Sequence, residues 1–222
     1  MKKGEEKEYV EIEFENGDRY KGEVEDGAMH GVGAFERKGK YVYVGELVNN
    51  YFSGAGKLVD HSERLLYEGT FSGNKKEGHG RLRVFKSNFG LSAHQLDLSE
   101  ITNLSYQDVI ANSVLETLNT VAALQKQSAK LRDKMARTEK DIKSYTVDPE
   151  KEKEKAEKHE GKNGEILLEY EGEFKNDMRE GVGRMNYKGG DRYKGGFKED
   201  KRSGFGVLYY SSGECLRYVG NF

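Results

Sequence analysis

Tryptophan is absent from this sequence, and proline and cysteine occur once each. The single cysteine, Cys215, excludes an internal disulfide and a zinc site built from cysteines. No run of about eighteen apolar residues occurs, so we predict no membrane-spanning helix. Residues 1–6 lack the apolar segment of a secretory signal, and we therefore expect a soluble, cytoplasmic protein.

Apolar residues and excess charge are also scarce. Hydrophobic residues make up 35% of the chain, charged residues make up 34%, and the formal net charge is −2. A deep globular core needs more apolar residues, and a nucleic-acid-binding protein usually shows a marked basic excess. The 28 glycines, 14 tyrosines and 10 phenylalanines therefore favour a thin, extended β architecture with no nucleic-acid partner.

Motifs for catalysis or metal binding are missing as well. The segment at residues 53–58 is similar to a phosphate-binding loop, but Tyr51 replaces its first glycine and Leu58 its Ser/Thr. The five histidines show no helical pairing and have no cysteine cluster beside them. We therefore expect no enzyme activity, no metal, no cofactor and no small-molecule substrate.

An internal repeat is present instead. The pattern Tyr-x-Gly recurs along the chain, and in five cases a Gly-x-Gly begins nine residues after its glycine. Successive repeats within a block start about 23 to 25 residues apart, the length of one supersecondary unit. The glycines of these motifs, which we predict to be structural, are Gly22, Gly31, Gly33, Gly45, Gly54, Gly56, Gly69, Gly78, Gly80, Gly172, Gly181, Gly183, Gly195, Gly204 and Gly206.

Each repeat has the alternation of two short antiparallel strands. Tyr20, Gly22 and Val24 share one parity, whereas charged residues occupy the other, which is typical of half-buried strands. Residues 26–30 form the predicted connecting loop. A glycine beside a tyrosine leaves room on which we expect the ring of a neighbouring repeat to pack. The predicted aromatic face consists of Tyr20, Phe35, Tyr67, Phe71, Tyr170, Phe174, Tyr187, Tyr193 and Phe197.

These motifs resemble a known family. Tyr-Lys-Gly-Glu-Val at residues 20–24, followed by His-Gly-Val-Gly at residues 30–33, is similar to the MORN repeat (membrane occupation and recognition nexus). The resemblance extends over residues 9–91 and 165–222, with a slight departure in the second repeat. Residues 218–222 match a sixth repeat cut off after its first strand, and we expect a partner or the N-terminal segment to cover that edge. The resemblance implies an elongated array of β-hairpins with an apolar groove, and roles in scaffolding, helix binding, membrane tethering or ciliary assemblies.

A helical insert separates the two repeat blocks. We predict repeat arrays over residues 1–91 and 165–222, and between them an insert over residues 92–164, with a long helix at about 105–145 followed by a charged linker. Apolar residues spaced alternately by four and three positions form a heptad seam in this helix. The seam positions proposed to bind a partner are Ile110, Val114, Val121, Leu124, Leu131, Met135 and Ile142.

The seam needs a surface to pack against, and two are possible: the protein's own aromatic face or a foreign helix. Length favours a foreign helix, because three hairpins span about 29 Å and the helix is about twice as long. We therefore expect the basic half of the helix, from Lys126 onwards, to project beyond the first array, where acidic lipid could also contact it.

These features predict a mainly β protein, an elongated antiparallel meander of hairpins split by a long α-helical, coiled-coil-like insert. We expect a non-catalytic scaffold of a larger cytoskeletal assembly, at the cilium or axoneme, that binds partner helices. The alternative is a membrane-associated adaptor that binds acidic phospholipids or tethers membranes.

Overall fold

A computed structural model describes residues 8–87, 106–142, 166–211 and 217–222. They form one antiparallel sheet of twelve strands in sequence order, together with one long helix. The strands are β1 Glu8–Glu13, β2 Arg19–Glu25, β3 Ala28–Arg37, β4 Tyr41–Val48, β5 Tyr51–Asp60, β6 Leu65–Ser72, β7 Lys75–Phe85, β8 Ile166–Lys175, β9 Met178–Tyr187, β10 Arg192–Lys198, β11 Lys201–Tyr209 and β12 Arg217–Asn221, and the helix is α1 Tyr106–Ile142.

The predicted meander of hairpins with a helix between the repeat blocks is confirmed. Three further predictions lie outside the described residues: the helix ends near residues 105 and 145, the Ile142 side chain and the charged linker.

The insert interrupts the sequence but not the sheet. Strand β7 pairs directly with β8, and Gly80 lies opposite Gly172 as paired glycines do within each block. On one side of this junction Arg83 Nε lies 3.0 Å from Glu169 Oε1. The two predicted arrays are therefore one continuous sheet.

Tight turns close the hairpins. The five-residue loop expected at residues 26–30 is a two-residue turn, because residues 28–30 already belong to β3. In all five turns both central residues have positive φ, the geometry of the type I′ turn that matches the twist of paired strands. The turns are Asp26-Gly27, Asn49-Asn50, Gly73-Asn74, Asn176-Asp177 and Glu199-Asp200.

The second residue of a turn also ties its repeat to the preceding one. Asn50 Oδ1 accepts a hydrogen bond from the Met29 amide, and the Asn50 amide donates to the Met29 carbonyl. Asp177 makes the same pair of bonds to Lys76, at 2.9 and 3.0 Å, although 100 residues separate the two in sequence. The inter-repeat connection is thus identical within a block and across the insert.

The two glycines of Gly-x-Gly have different roles. The first has positive φ in every repeat, for example +62° at Gly181, and lies where the strand register shifts, as expected of a glycine at a β-bulge. The second faces the repeat tyrosine. A Cβ on Gly183 would lie 2.5 Å from the Tyr170 ring, and one on Gly172 would lie 2.4 Å from the Tyr170 hydroxyl.

The expectation that each ring packs on a neighbouring repeat is therefore wrong. Tyr170 covers Gly172 and Gly183 of its own hairpin, and the other four repeat tyrosines do the same. The ring stays within its repeat because Gly172 and Gly183 are paired directly across the two strands, which leaves one bare patch as wide as a phenol.

The ends of the sheet also differ from expectation. The N-terminal strand β1 pairs with β2, so it does not cover the C-terminal edge. Strand β12 pairs with β11 as the first strand of a sixth repeat would, with Gly220 opposite Gly206. The two edges of the described sheet are β1 and β12.

The bare backbone at the paired glycines, on which the tyrosine ring lies, provides a test of the fold. We expect Gly183→Ala to lower the free energy of unfolding by about 1–3 kcal/mol, because the added methyl overpacks the Tyr170 ring. Gly189→Ala is the matched control, since its Cβ would meet no atom within 4 Å; we expect no loss or a small gain in stability. Urea denaturation of both variants measures the difference, and equal stabilities would contradict the role assigned to the glycine pair.

Candidate functional site: two faces of one sheet

The sheet has two faces of different character. The tyrosine face contains the repeat tyrosines Tyr20, Tyr43, Tyr67, Tyr170 and Tyr193 and the side chains of the same parity. The helix face is the opposite one, where α1 packs beside Ala34, Val42 and Val44. Both faces are candidate interaction surfaces, and they are built differently.

The repeat tyrosines are core residues. All five are fully buried, and each hydroxyl donates a hydrogen bond to the backbone carbonyl three residues further along. For Tyr20 the acceptor is Glu23 at 2.6 Å, and for Tyr193 it is Gly196 at 3.0 Å. Burial raises the pKa of every one of these phenols, that of Tyr193 to about 12.

Phenylalanines connect one tyrosine to the next. Phe71 meets the rings of Tyr43 and Tyr67 edge-on at 5.2 and 5.0 Å. Phe174 does the same for Tyr67 and Tyr170, so the chain of rings crosses the insert without a break. Edge-to-face pairs at this spacing are favourable beyond their area burial.

The predicted aromatic face therefore divides into two groups. Seven of its nine residues are buried and hold the sheet together: Tyr20, Tyr67, Phe71, Tyr170, Phe174, Tyr193 and Phe197. Only Phe35 and Tyr187 keep part of their surface accessible. The sequence pattern identified the aromatic row, but it could not separate structural rings from rings that a partner can touch.

Two aromatic residues were missing from the predicted face. Tyr43 is as buried as the other repeat tyrosines, and Phe52 stacks on it with ring centroids 3.8 Å apart and 9° between planes. Tyr43 has the same Tyr-x-Gly spacing as the other repeat tyrosines, so the repeat pattern contains the signal for it. Phe52 could have been found from its position, nine residues after the repeat tyrosine.

That position holds cations in the later repeats. Lys76 Nζ, Arg179 Cζ and Arg202 Cζ lie 5.9, 5.9 and 5.6 Å from the centroids of Tyr67, Tyr170 and Tyr193. The tyrosine face thus changes along its length, from the stacked Phe52 in the second repeat to cation–π covers in the three repeats that follow.

Accessible apolar side chains lie around the buried row. Ile12 and Phe14 are more than one-third exposed. The others are partly buried and pack against the tyrosine core: Val10, Val24, Met29, Phe35, Tyr41, Leu58, Leu82, Val84, Leu168 and Tyr187. In the described part of the chain α1 lies on the opposite face, so it leaves this apolar strip uncovered.

The seam of α1 is buried against the protein's own sheet. Ile110, Val114, Val121 and Leu124 have exposures between 2 and 8%, and Leu131 and Met135 are half-buried. The sequence had suggested that the seam binds a foreign helix. That prediction is wrong, because the protein's own sheet occupies the seam.

The docking differs from both expected arrangements. The helix lies on the face opposite the aromatic row and crosses the sheet from β3 to β11. The helix is longer than the three hairpins of the first block. Its basic half still lies on the sheet, because the second block extends the same sheet under it.

Polar residues within the seam are accommodated locally. Thr117 is buried, and its hydroxyl donates to the Ser113 carbonyl one turn earlier at 2.9 Å. Such a bond satisfies the hydroxyl without a partner across the interface. The polar interruptions of the heptad are therefore compatible with packing on a sheet.

One ion pair joins the basic half of the helix to the second block. Arg132 Nη2 donates to Glu173 Oε1 at 2.6 Å, and the same oxygen accepts the Val182 amide at 3.1 Å. More than half of the Arg132 side chain is exposed, so the pair contributes little to stability. Nearby, the pKa of His79 is lowered, mainly by burial. The charge of Glu173 acts to raise this pKa, and the charge of Arg132 lowers it further.

Among the described residues, no group of three or more histidine, cysteine, aspartate or glutamate side chains could hold a metal ion. No helix in the described ranges is long and apolar enough to cross a membrane.

The MORN repeat family model matches five segments of the chain: residues 20–39, 43–62, 67–83, 170–192 and 193–215. No curated protein sequence matches the chain. The five segments coincide with the five hairpins that carry the tyrosine and its glycine pair. The chain is a MORN-repeat protein whose repeat array is split in sequence between residues 83 and 170. MORN repeats are non-enzymatic modules that mediate interactions with proteins or membranes.

Docking of α1 can be tested by placing charge in its buried seam. We expect Val121→Asp with Leu124→Asp to lower the free energy of unfolding by more than about 3 kcal/mol, because unpaired carboxylates are costly in an apolar contact. The control is Leu115→Asp with Leu118→Asp on the exposed side of the helix, which we expect to change stability by no more than about 1 kcal/mol. Hydrogen exchange of the helix amides measures docking; equal protection in both double variants would show that the seam does not hold α1.

The buried phenols predict a loss of stability at alkaline pH. Their folded pKa values are raised above the ordinary value of about 10. Above about pH 10 the unfolded chain loses phenol protons that the folded protein retains, so stability falls as pH rises towards the folded pKa values. Urea titrations between neutral pH and pH 12, with tyrosinate absorbance as a second readout, should show this fall. Ionisation of all 14 tyrosines, the five buried ones included, without unfolding would contradict the assignment.

Proposed function

We propose that this protein is a non-catalytic scaffold of a larger cytoskeletal assembly, at the cilium or axoneme, and that its tyrosine face binds a helical segment of a partner. One observation supports this above the others: α1 occupies the helix face, while the apolar strip of the tyrosine face is uncovered within the described residues. A contiguous accessible apolar surface commonly marks an interaction site.

The spacing of the sheet supports a helix as the ligand. The strip runs across the strands, and one repeat of two strands advances by about 9.6 Å. Seven residues of α-helix advance by about 10.5 Å. A partner helix with an apolar residue in each heptad could therefore place one such residue on each successive repeat, between side chains such as Phe35, Leu58 and Leu82.

The ciliary location depends on resemblance to the family rather than on geometry. A near-neutral net charge and an array of interaction repeats are compatible with a place in a multi-subunit assembly. Imaging of a tagged copy in ciliated cells tests the location separately from binding.

A pair of matched variants tests the binding face. Phe35→Ser with Tyr41→Ser removes two partly accessible rings from the tyrosine face, whereas Val48→Ser with Tyr51→Ser removes comparable apolar surface from the tip of the β4–β5 hairpin. We expect recovery of native partners in quantitative affinity purification to fall about tenfold or more for the first pair, the loss of about 1.4 kcal/mol, and to be unchanged for the second. Equal recovery from folded samples of both would contradict the proposal.

The alternative function is an adaptor that binds acidic phospholipids. The observation in its favour is the row of exposed lysine and arginine side chains on α1, including Lys126, Lys130 and Arg137. Sedimentation with acidic liposomes distinguishes the two functions, because lipid binding through these cations should be strong at low salt and lost at high salt.

A further inference from the structure

The outward side of α1 has a distinct pattern of its own. Because the heptad seam faces the sheet, the opposite side of the helix lies at the surface. Leu115 and Leu118 are 55% and 45% exposed there, among the highest values for large apolar residues in the described chain. Ala111 and Ala122 flank them and are also exposed.

The exposed residues follow a second heptad spacing. Positions 111, 115, 118, 122, 125 and 129 are separated alternately by four and three residues, the spacing of a coiled-coil contact line. Three of the six are alanines, which are short, and one is an uncharged glutamine. A second helix can therefore approach closely along this line. The two leucines provide apolar contact at its N-terminal end.

Cations extend along one side of this line in the C-terminal half of the helix. Lys126, Lys130, Arg137 and Lys140 are exposed, and at 100° per residue they project within a sector of about 80°. Asp133 lies in the same sector, which leaves a clear positive excess. No basic residue occurs on α1 before Lys126, so apolar and cationic contacts are separated along the helix.

We propose that the outward side of α1 binds an acidic amphipathic helix of a partner protein. In this arrangement apolar side chains of the partner pack on Leu115 and Leu118, and its aspartate or glutamate side chains lie against Lys126, Lys130 and Arg137. The surface lies on the other side of the sheet from the tyrosine face. The proposal therefore goes beyond the function proposed above, and one molecule can hold two partners.

A protein helix fits this surface better than a bilayer. A helix that lies in a membrane interface buries a continuous apolar face, with its cations beside it. The continuous apolar face of α1 is already packed against the sheet. The side that remains offers two leucines and several alanines in one half and cations in the other, which is complementary to a rod with apolar and acidic halves.

Designed peptides of about four heptads provide the test. One peptide has leucines towards its Leu115-facing end and glutamates along the half that meets the cations; a second has lysines in place of those glutamates. We expect the intact protein to bind the glutamate peptide, and Lys126→Glu with Lys130→Glu and Arg137→Glu to weaken this binding about tenfold or more and to favour the lysine peptide. Fluorescence anisotropy measures both affinities.

Two control variants separate this surface from the others. Leu115→Asp with Leu118→Asp should also abolish binding of the glutamate peptide while the melting temperature stays unchanged. Phe35→Ser with Tyr41→Ser should bind it normally, so failure of the tyrosine-face proposal and of this one are distinguishable. Equal affinity for both peptides, or insensitivity to the leucine variants, would overturn the proposal. So would salt-sensitive binding to phosphatidylserine vesicles in the absence of peptide binding.

Discussion

The whole sheet depends on the contact between one tyrosine ring and two glycines. Each ring lies on the bare backbone of a glycine pair that faces it across two strands, and its hydroxyl donates to the carbonyl at the adjacent register shift. The ring therefore fills the vacancy of its own hairpin, and residues of the next repeat complete its burial. Neighbouring repeats then add edge-on phenylalanine contacts and the hydrogen bonds of the turn Asn or Asp.

Because the tyrosines and phenylalanines share one parity of the strands, the two faces can serve different purposes. One face buries the tyrosines and leaves an apolar strip around them. The other receives α1 as a second layer, which gives a sheet of limited hydrophobic content the additional burial that a single layer lacks. The helix crosses both blocks, and its buried seam makes the split repeat array a single unit with two outward surfaces.

The repeats and the helix could be predicted from sequence because both depend on local spacing. The Tyr-x-Gly and Gly-x-Gly positions identify the hairpins, and the heptad from Ile110 to Met135 identifies a helix with one apolar side. What the apolar side contacts depends on β7 pairing with β8, and no local pattern reports a pairing between strands so distant in sequence. Tyr43 and Phe52 also follow from local spacing, since Tyr43 precedes Gly45 by two residues and Phe52 follows Tyr43 by nine. The ciliary location stays a prediction.

The pairing of β7 with β8 has a consequence for the order of folding. Every other pair of neighbouring strands in the two blocks meets after a short connection, whereas these two meet only when residues 86–165 have closed into a loop. The entropic cost of closing a flexible loop increases slowly, by about 0.6 kcal/mol for each doubling of its length. The long insert therefore destabilises the junction only slightly more than a short connection would. Contacts that are distant in sequence nevertheless form late. We therefore expect the two blocks to nucleate separately, and their junction and the docking of α1 to form in a last, cooperative step.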